Sequence, residues 1–589
     1  MTGVIRGPRG AVSGAEVVLL QGGATLRTTT ADADGTFRLE SVSPGAYQIQ
    51  VSSPPLLPSV QDFLVTAGGD VELQVVLNYL SENVTVTATR LPVPAVTAVA
   101  DVEIMTGDDL REMPYQSLDD GLRTFPEFSL FRRSSSLVAH PTTQGVSLRG
   151  IGPSGVSRSL VLVDGVPLND AFGGWVYWDR IPLLSLQQVE VAKGSGSSLY
   201  GNYALGGVVQ LIKRVPQPAT FEALFQGGSR NSLKADVYAS HRHGPWGFSA
   251  TGSFFDFDGY TLVAKAQRGA VDIPAFSQHQ AMRFQTEWAP AGGSWMASLE
   301  GGLLNEERGN GTPLQNNDTD SFDWSLGAQW SRSSQDRLQT RAFFRRSVFV
   351  NNAAGVAADR NSESLASQQH NPSADGGVSL LWLHSGNRRS FVAGSDVWIV
   401  SGRSTDNVFQ GTPAVFTRVR LGGGKQATTG FFGEANVPLF SHAMLAVGGR
   451  VDVWRNFDGF QGNYLVGSPV TTSVASNSGT EFSPRVGLTY QFERPLTLHA
   501  VIFRSFRAPT LNELYRISRV GNTTTNGNPA LKPEHATGGE LGARYRIADQ
   551  VSTGITWFMN VLDKPVSNVT LDPNPANTIQ QRQNLGRAR

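Results

Sequence analysis

From about residue 216 to the end the chain repeats one hydrophobic pattern. Met282, Phe284, Thr286 and Trp288 alternate with Arg283, Gln285 and Glu287. Leu445, Val447, Val451 and Val453 alternate with Arg450 and Asp452, and Val551, Thr553, Ile555, Trp557, Met559 and Val561 keep the same beat near the end. A period of two puts successive side chains on opposite faces of a strand. About sixteen such segments of about ten residues occur, centred from near 223 to near 582, joined alternately by short turns and by long stretches rich in Asn, Gly, Ser and Thr. This predicts an antiparallel transmembrane β-barrel, with short turns on one side and long loops on the other. A soluble sandwich rarely needs so many strands in succession.

Ahead of it lie three shorter stretches. Residues 1–78 read as short strands (GAEVVLL, TFRLE, GAYQIQV, DVELQVVL) parted by turns at Asp34-Gly35 and Pro44-Gly45, the size of a small β-sandwich. Residues 79–99 combine an alternating SENVTVTATR with Pro92 and Pro94, an extended strand without a packed partner followed by a linker. Residues 100–215 mix helices, with Thr106 and Ser117 as N-caps, and strands (GVSLRG, SLVLVDGVPL, QQVEVAKG, GGVVQLIKR), giving an α+β globule.

Composition sharpens this. The chain has 49 basic and 49 acidic residues in 589, so no global field draws it to nucleic acid. Charged residues are 17%, against about 25% in typical soluble proteins. No run of eighteen apolar residues exists, so a helical span is excluded and only a closed barrel crosses a bilayer. Without cysteine there is neither a disulfide framework nor a thiolate metal site. The start, MTGVIRGPRGAV, lacks the charged and apolar regions of a secretory signal.

One motif suggests an enzyme. Gly150, Gly152 and Gly155 keep the G-x-G-x-x-G spacing after the strand-like VSLR, and Asp170 follows at the distance of a ribose-binding acid. A nucleotide fold needs a helix straight after the glycines, and SRSLVLVDG is a β-type run instead. A dinucleotide enzyme is the weaker reading. His241 and His243 form an H-x-H pair without a third ligand in sight, so neither a metal nor a cofactor is expected.

At these glycines a resemblance becomes specific. RGIGPSGVSRSLVLVDGVPLND and VEVAKGSGSSLYGNYALGGVVQLIKR resemble the plug domain of TonB-dependent outer-membrane receptors. SENVTVTATR resembles that family's TonB box, EFSPRVGLTYQF and FRSFRAPTLNELY are similar to its barrel motifs, and residues 1–78 resemble a carboxypeptidase regulatory-like module. The resemblance implies a mostly β protein in the outer membrane of a Gram-negative-type bacterium. Its partners would be TonB with the inner-membrane energising complex, the lipid bilayer, and a small-molecule or metal-chelate ligand, around a monomeric barrel. Glu82, Asn83, Val84, Thr85, Val86, Thr87 and Ala88 would pair with TonB by strand addition. Arg149, Gly150, Asp164, Gly165, Glu190, Gly194, Tyr200, Gly201, Gly206 and Gly207 would sit where plug meets barrel. Phe172, Trp175, Tyr177 and Trp178 would either stack on a ligand or pack against the wall. The implied function is energised uptake of a scarce, bulky solute such as a ferric siderophore or cobalamin, with no catalysis. The alternatives are a passive porin or surface-binding barrel, and a soluble multi-domain β-protein.

Size adds one expectation. A globule of about 115 residues is roughly 34 Å across, whereas sixteen tilted strands leave an interior of only about 25 Å and twenty-two leave about 38 Å. About six strands are therefore expected beyond those visible, and with NLGRAR stopping inside a strand-like motif the chain reads as a fragment of a longer receptor that would not insert stably alone.

Overall fold

The computed structural model describes residues 1–7, 10–21, 24–53, 59–66, 71–77, 84–85, 90, 93–94, 98–132, 134–151, 155–333, 335–386, 389–440, 442–492, 496–520, 523–548, 551–574 and 578–588. The architecture is mostly β. At the N-terminus, Thr2–Gly7 lies in one four-stranded sheet and Glu16–Gln21 in another. Their inward residues, among them Ile5, Val17, Leu19, Phe37, Ile49 and Val75, meet in a single core. Alternation along Gly45–Ser52 explains the arrangement, since Tyr47, Ile49 and Val51 are buried while their neighbours are not.

The second unit is built on a five-stranded sheet in the spatial order Val102–Thr106, Leu186–Lys193, Gly207–Lys213, Leu160–Val163, Val166–Pro167. Leu160–Val163 runs parallel to Gly207–Lys213 and is buried on both faces, which is why it reads as an unbroken apolar run. Asp164 and Gly165, at φ 45° and 84°, form the two-residue turn that folds this strand onto Val166–Pro167. Thr106 caps Gly107–Glu112 through a reciprocal capping box with Asp109. Ser117 stands at the N-cap of Leu118–Leu122 but makes no side-chain cap bond; its hydroxyl turns to Asp120 at 3.4 Å.

The third unit is a sheet of seventeen strands running antiparallel in sequence order from Thr220–Gly227 to Arg587–Ala588, of which Thr471–Val474 and Arg587–Ala588 are short. At one end residues 244–245 turn tightly, and at the other residues 261–274 make a longer loop. Strands grow as long as the 26 residues of Val415–Phe440, far more than the roughly 9–11 that cross a bilayer. Outward positions are apolar and bare, as in Phe221, Phe431, Ile502 and Ile555, the last 75% exposed. Inward positions such as Glu300, Ser321, Arg345, Asp375 and Asp452 are polar and buried. Near the turn end the outer face carries aromatic pairs, Trp246 on Phe248 at 6.3 Å and Trp295 on Trp330 at 6.0 Å, an interfacial girdle.

Fifteen of the sixteen anticipated segments lie in this sheet; the one near 582 does not. Thr578–Asn584 pairs instead with Val566–Asp572 and Thr523–Asn526 in a separate four-stranded sheet. It is half-exposed along its whole length, so it has no lipid-facing row to hold it in the wall. Among the described residues nothing pairs the first strand of the wall with the last, so the wall is an open sheet there.

The second unit fills the lumen. Contacts reach it from strands around the wall: Arg308 donates to Asp179 at 2.8 Å, Arg345 to the carbonyls of Pro167 and Leu168 at 3.1 Å, and Ser505 to that of Leu205 at 3.2 Å.

Candidate functional site

The motif FRSFRAPTLNELY builds the loop-end corner. Thr510 caps the short helix Leu511–Tyr515, its hydroxyl accepting from the Glu513 amide at 3.2 Å while the Glu513 carboxylate accepts from the Thr510 amide at 2.8 Å. Arg507 then donates two bonds to Glu513, at 2.8 and 2.9 Å, and one to Glu534 at 2.5 Å. Glu534 also accepts from Arg158 of the plug at 2.7 Å, so one carboxylate ties plug to wall. Arg149–Glu540 at 2.5 Å, Arg180–Asp323 at 3.0 Å and Lys213–Glu300 repeat the arrangement.

Between plug and corner lies a cavity of about 980 Å³. His140, Gly150, Ile151, Val156 and Trp175 line it from the plug, and Asn351, Gln369, Asn512, Arg516, Phe558 and Arg582 from the wall and its side sheet. Arg516 donates to the Gln369 and Asn512 side chains, and among the described residues its Nε has no partner. Arg582 donates to the carbonyls of Asn512 at 2.6 Å and Arg516 at 3.2 Å. Burial pulls both guanidinium groups below the usual arginine range, Arg582 to about 10. The one acid on the lining, Glu513, is already held by Arg507. The cavity therefore presents cationic charge to whatever enters.

His140 is neutral here. Burial lowers it from 6.5 to about 4, against a bond with Asn351 that favours the charged form. The Thr142 amide donates to Nδ1 at 3.3 Å, which places the ring proton on Nε2, 2.9 Å from the Asn351 side-chain oxygen.

The four anticipated aromatic residues are all at most 3% exposed. Phe172 packs against Val400, Leu511, Leu514 and Tyr515, and Trp175 and Tyr177 against Ala281 and Leu304 of the wall. Trp178 is in the plug core, edge-on to Phe128 at 6.1 Å. Only Trp175 borders the cavity, so for the other three, packing prevails over an open stacking face.

Among the anticipated plug–barrel positions, Arg149 meets Glu540, and Gly194 lies beside Arg149, Phe503 and Glu540. Tyr200 packs on a wall cluster that includes Leu381 and Phe432. A Cβ at Gly201, whose φ is +69°, would stand 2.6 Å from Arg450 Nε, so only glycine fits. Asp164 bonds Lys213, which reaches Glu300, and Gly165 borders a crevice against Met296 and Arg341. Gly150 lines the cavity. Gly206 and Gly207 are corrections: the atoms nearest each lie inside the plug. Glu190 lies within the plug sheet and accepts from Gln188 at 3.0 Å and from Thr85 at 2.5 Å. Gly206 faces Ser159 and Ile151, and Gly207 the Ala192 carbonyl.

Of the anticipated coupling strand, Val84 and Thr85 are described; Glu82, Asn83, Val86, Thr87 and Ala88 lie outside the described residues. Val84–Thr85 pairs with Val93–Pro94, and Thr85 is buried. Arg90 is sandwiched between Tyr200 and Phe432, 4.3 and 4.6 Å from the ring centres, and donates to the Leu199 carbonyl at 2.7 Å. Sequence reasoning missed Arg90, Arg158, Arg516, Glu534 and Arg582. Arg345, Glu300 and Asp375 show the available signal, a charge at an inward position of an alternating strand.

Asp170, at ribose-binding spacing, instead accepts from the amides of Phe172 and Gly173 at 3.1 and 2.6 Å, a local turn. After Gly155 comes the strand Leu160–Val163, not a helix.

Comparison with known proteins agrees with this geometry. A family described as "TonB dependent receptor-like, beta-barrel" matches residues 267–589, the "TonB-dependent Receptor Plug Domain" matches 94–208, and the "Carboxypeptidase regulatory-like domain" matches 1–78. The chain is 26% identical to the ferric enterobactin receptor of Pseudomonas aeruginosa, covering 78% of this chain and 67% of that one. It is 22% identical to the vitamin B12 transporter BtuB of Photobacterium profundum, covering 80% and 68%. Among solved structures, the ferric yersiniabactin uptake receptor FyuA from Yersinia pestis superimposes with a TM-score of 0.62 at 14% identity, over 79% of this chain and 73% of that one. The copper transporter OprC superimposes with 0.66 at 16% identity, over 82% and 75%. With a family match over more than half its length, a filled lumen and a lipid-facing wall, the chain belongs to the TonB-dependent receptor family.

Proposed function

We propose that this protein imports a bulky, anionic metal chelate across the outer membrane, driven by TonB. The observation that carries the reading is the cavity at the loop end. Its volume of about 980 Å³ is at the upper end of the roughly 300–1,000 Å³ of small-molecule sites. Among the described residues neither Arg516 nor Arg582, both on its border, has a carboxylate at ion-pair distance, which favours an anion over a neutral ligand of equal size. The ferric chelate named for the 26%-identical relative agrees in kind. The plug closes the path below, so passage needs work on the plug, and residues 82–88 are the segment that TonB would take by strand addition. No bond-making step is assigned to the protein.

The test is uptake of a labelled ferric tris-catecholate by cells carrying the parent or the Val86→Pro variant. A proline removes one ladder donor from the coupling strand. Import is expected to stop, with chelate affinity unchanged within twofold. Transport that survives both the substitution and an uncoupler would establish a passive barrel instead.

A further inference from the structure

The seam between plug and wall is not packed alike all the way round. Along the strands Trp295–Thr312, Gln315–Ser331 and Asp336–Val356 it is polar and holds space. A crevice of about 30 Å³ at mid-height is lined by Val166 and Pro167 of the plug and by Ser325 and Phe343 of the wall. Below it, one of about 200 Å³ has Asp164, Gly165 and Gln210 on one side and Gln339 and Arg341 on the other. Three buried polar atoms mark the same descent, each without a hydrogen-bond partner among the described residues. They are Asn317 Oδ1, on a residue paired with the cavity residue Asn351, then Arg180 Nε, then Gln210 Oε1. Buried groups of this kind are met by water, and even the smaller crevice exceeds the roughly 10–15 Å³ that one molecule needs. Further round the wall, apolar contacts close the seam. Val99 packs with Ala446, Val501 and Phe503, Ile151 and Leu205 pack with Ala536, and a Cβ at Gly487 would run into Val99.

The plug element that faces the polar sector is lightly held. Val166–Pro167 is an edge of the five-stranded sheet and pairs over two residues, Pro167 with Leu162 and Val166 with Val163. Arg345 fastens it to the wall, donating to the carbonyls of Pro167 and Leu168 at 3.1 Å and of Asn169 at 2.6 Å. The same guanidinium donates to Asp375 at 2.7 and 2.9 Å. Carbonyls offer it dipoles, whereas an anionic group descending from the cavity offers a full charge in matching geometry, so the cargo competes for the fastening. We propose that the cargo leaves along this sector, between the three wall strands and the Asp164–Gly165 hairpin, with Arg345 passing from the hairpin to the cargo as it goes by. This rests on the reading of the chain as an energised importer of an anionic chelate, and adds the side of the plug on which the passage opens.

The chain has no cysteine, so an engineered thiol reports its own surroundings. Ser325→Cys places one in the middle crevice, and Ser505→Cys places one at a fully buried position against the Leu205 carbonyl, in the apolar part of the seam. Cells carrying either variant are treated with a membrane-impermeant maleimide while they import a ferric tris-catecholate. Alkylation of the Ser325→Cys variant is expected to rise about tenfold or more during import, and not when Val86→Pro is added, while the Ser505→Cys variant stays within about twofold throughout. An equal rise at both positions would overturn the proposal, because the whole plug would then be leaving. With import intact, a rise at Ser505→Cys alone, or at neither, would overturn it as well. Joining Val166→Cys to Ser325→Cys with a short cleavable crosslinker should cut import about tenfold or more with chelate affinity kept within twofold, and cleavage should restore it. Import that persists through the joined pair would also overturn the route. Failure of the parent to take up the chelate at all would instead remove the importer reading beneath it, so the two failures give different results.

Discussion

Replacing Glu534 with glutamine tests whether buried charge pairs hold the plug in the lumen. Glu534 is fully buried and accepts from Arg158 at 2.7 and 3.2 Å, from Arg507 at 2.5 Å and from the Val566 amide at 2.5 Å. Glutamine keeps an acceptor for the Val566 amide and removes only the charge. Arg507 retains a counter-charge in Glu513, so the loss falls mainly on Arg158, which is 4% exposed. Breaking a buried pair from one side costs roughly 3–5 kcal/mol, and the retained Arg507–Glu513 pair argues for the lower figure, about 3. That is a little over a hundredfold in the plug's docking equilibrium. Hydrogen exchange reads it directly: amides of Leu160–Val163 and Gly207–Lys213 should lose about a hundredfold of protection, while those of Asp336–Val356 in the wall stay unchanged. Adding Arg158→Met should restore part of the loss, since an apolar pair in place of an ionic one costs less than half a pair. Plug protection within threefold of the parent would refute the reasoning, and so would an equal loss in the wall, which would mean that Glu534 braces the barrel rather than the stopper.

Arg516→Gln should weaken binding of a ferric tris-catecholate by about tenfold or more and leave a neutral ligand of similar size unaffected, read by tryptophan quenching. Trp178→Ala should destabilise the plug by about 3–5 kcal/mol through the void it leaves beside Phe128, seen as lost exchange protection, whereas Trp175→Ala should instead lower chelate affinity. For His140 the folded pKa of about 4 lies below the ordinary 6.5, so the neutral ring's contribution is complete above pH 6.5, declines between 6.5 and 4, and is flat below. Its ceiling is about 3 kcal/mol, reduced because the ring borders the cavity and is partly screened. Protection of Val146–Leu148 should follow that window, and His140→Gln should abolish the dependence.

Alternation exposed the wall because its two faces meet opposite solvents, lipid outside and polar plug inside, and such a contrast is written into every second residue. The same signal misplaced the segment near 582, since a period of two identifies a strand without naming its neighbour. The aromatic run AFGGWVYWDRIP was visible, but a ring that packs on Leu304 and a ring that packs on a ligand look alike in one dimension. Least legible were the charge pairs. Arg158 and Glu534 are 376 positions apart, and nothing in either local sequence points to the other. Arg149 was anticipated as a contact, yet Glu540 as its counterpart was not, nor was Thr85 as a partner of Glu190.

The long strands have a consequence for how cargo is admitted. A strand of 26 residues tilted near 45° climbs about 60 Å, roughly twice the hydrocarbon layer, so the upper storey of the receptor is hydrogen-bonded parapet rather than supple rim. Whatever reshaping accompanies capture must fall to the stopper, the side-chain lining, the connection at 261–274 and the capstone strands Ser518–Val520, Thr523–Asn526, Val566–Asp572 and Thr578–Asn584.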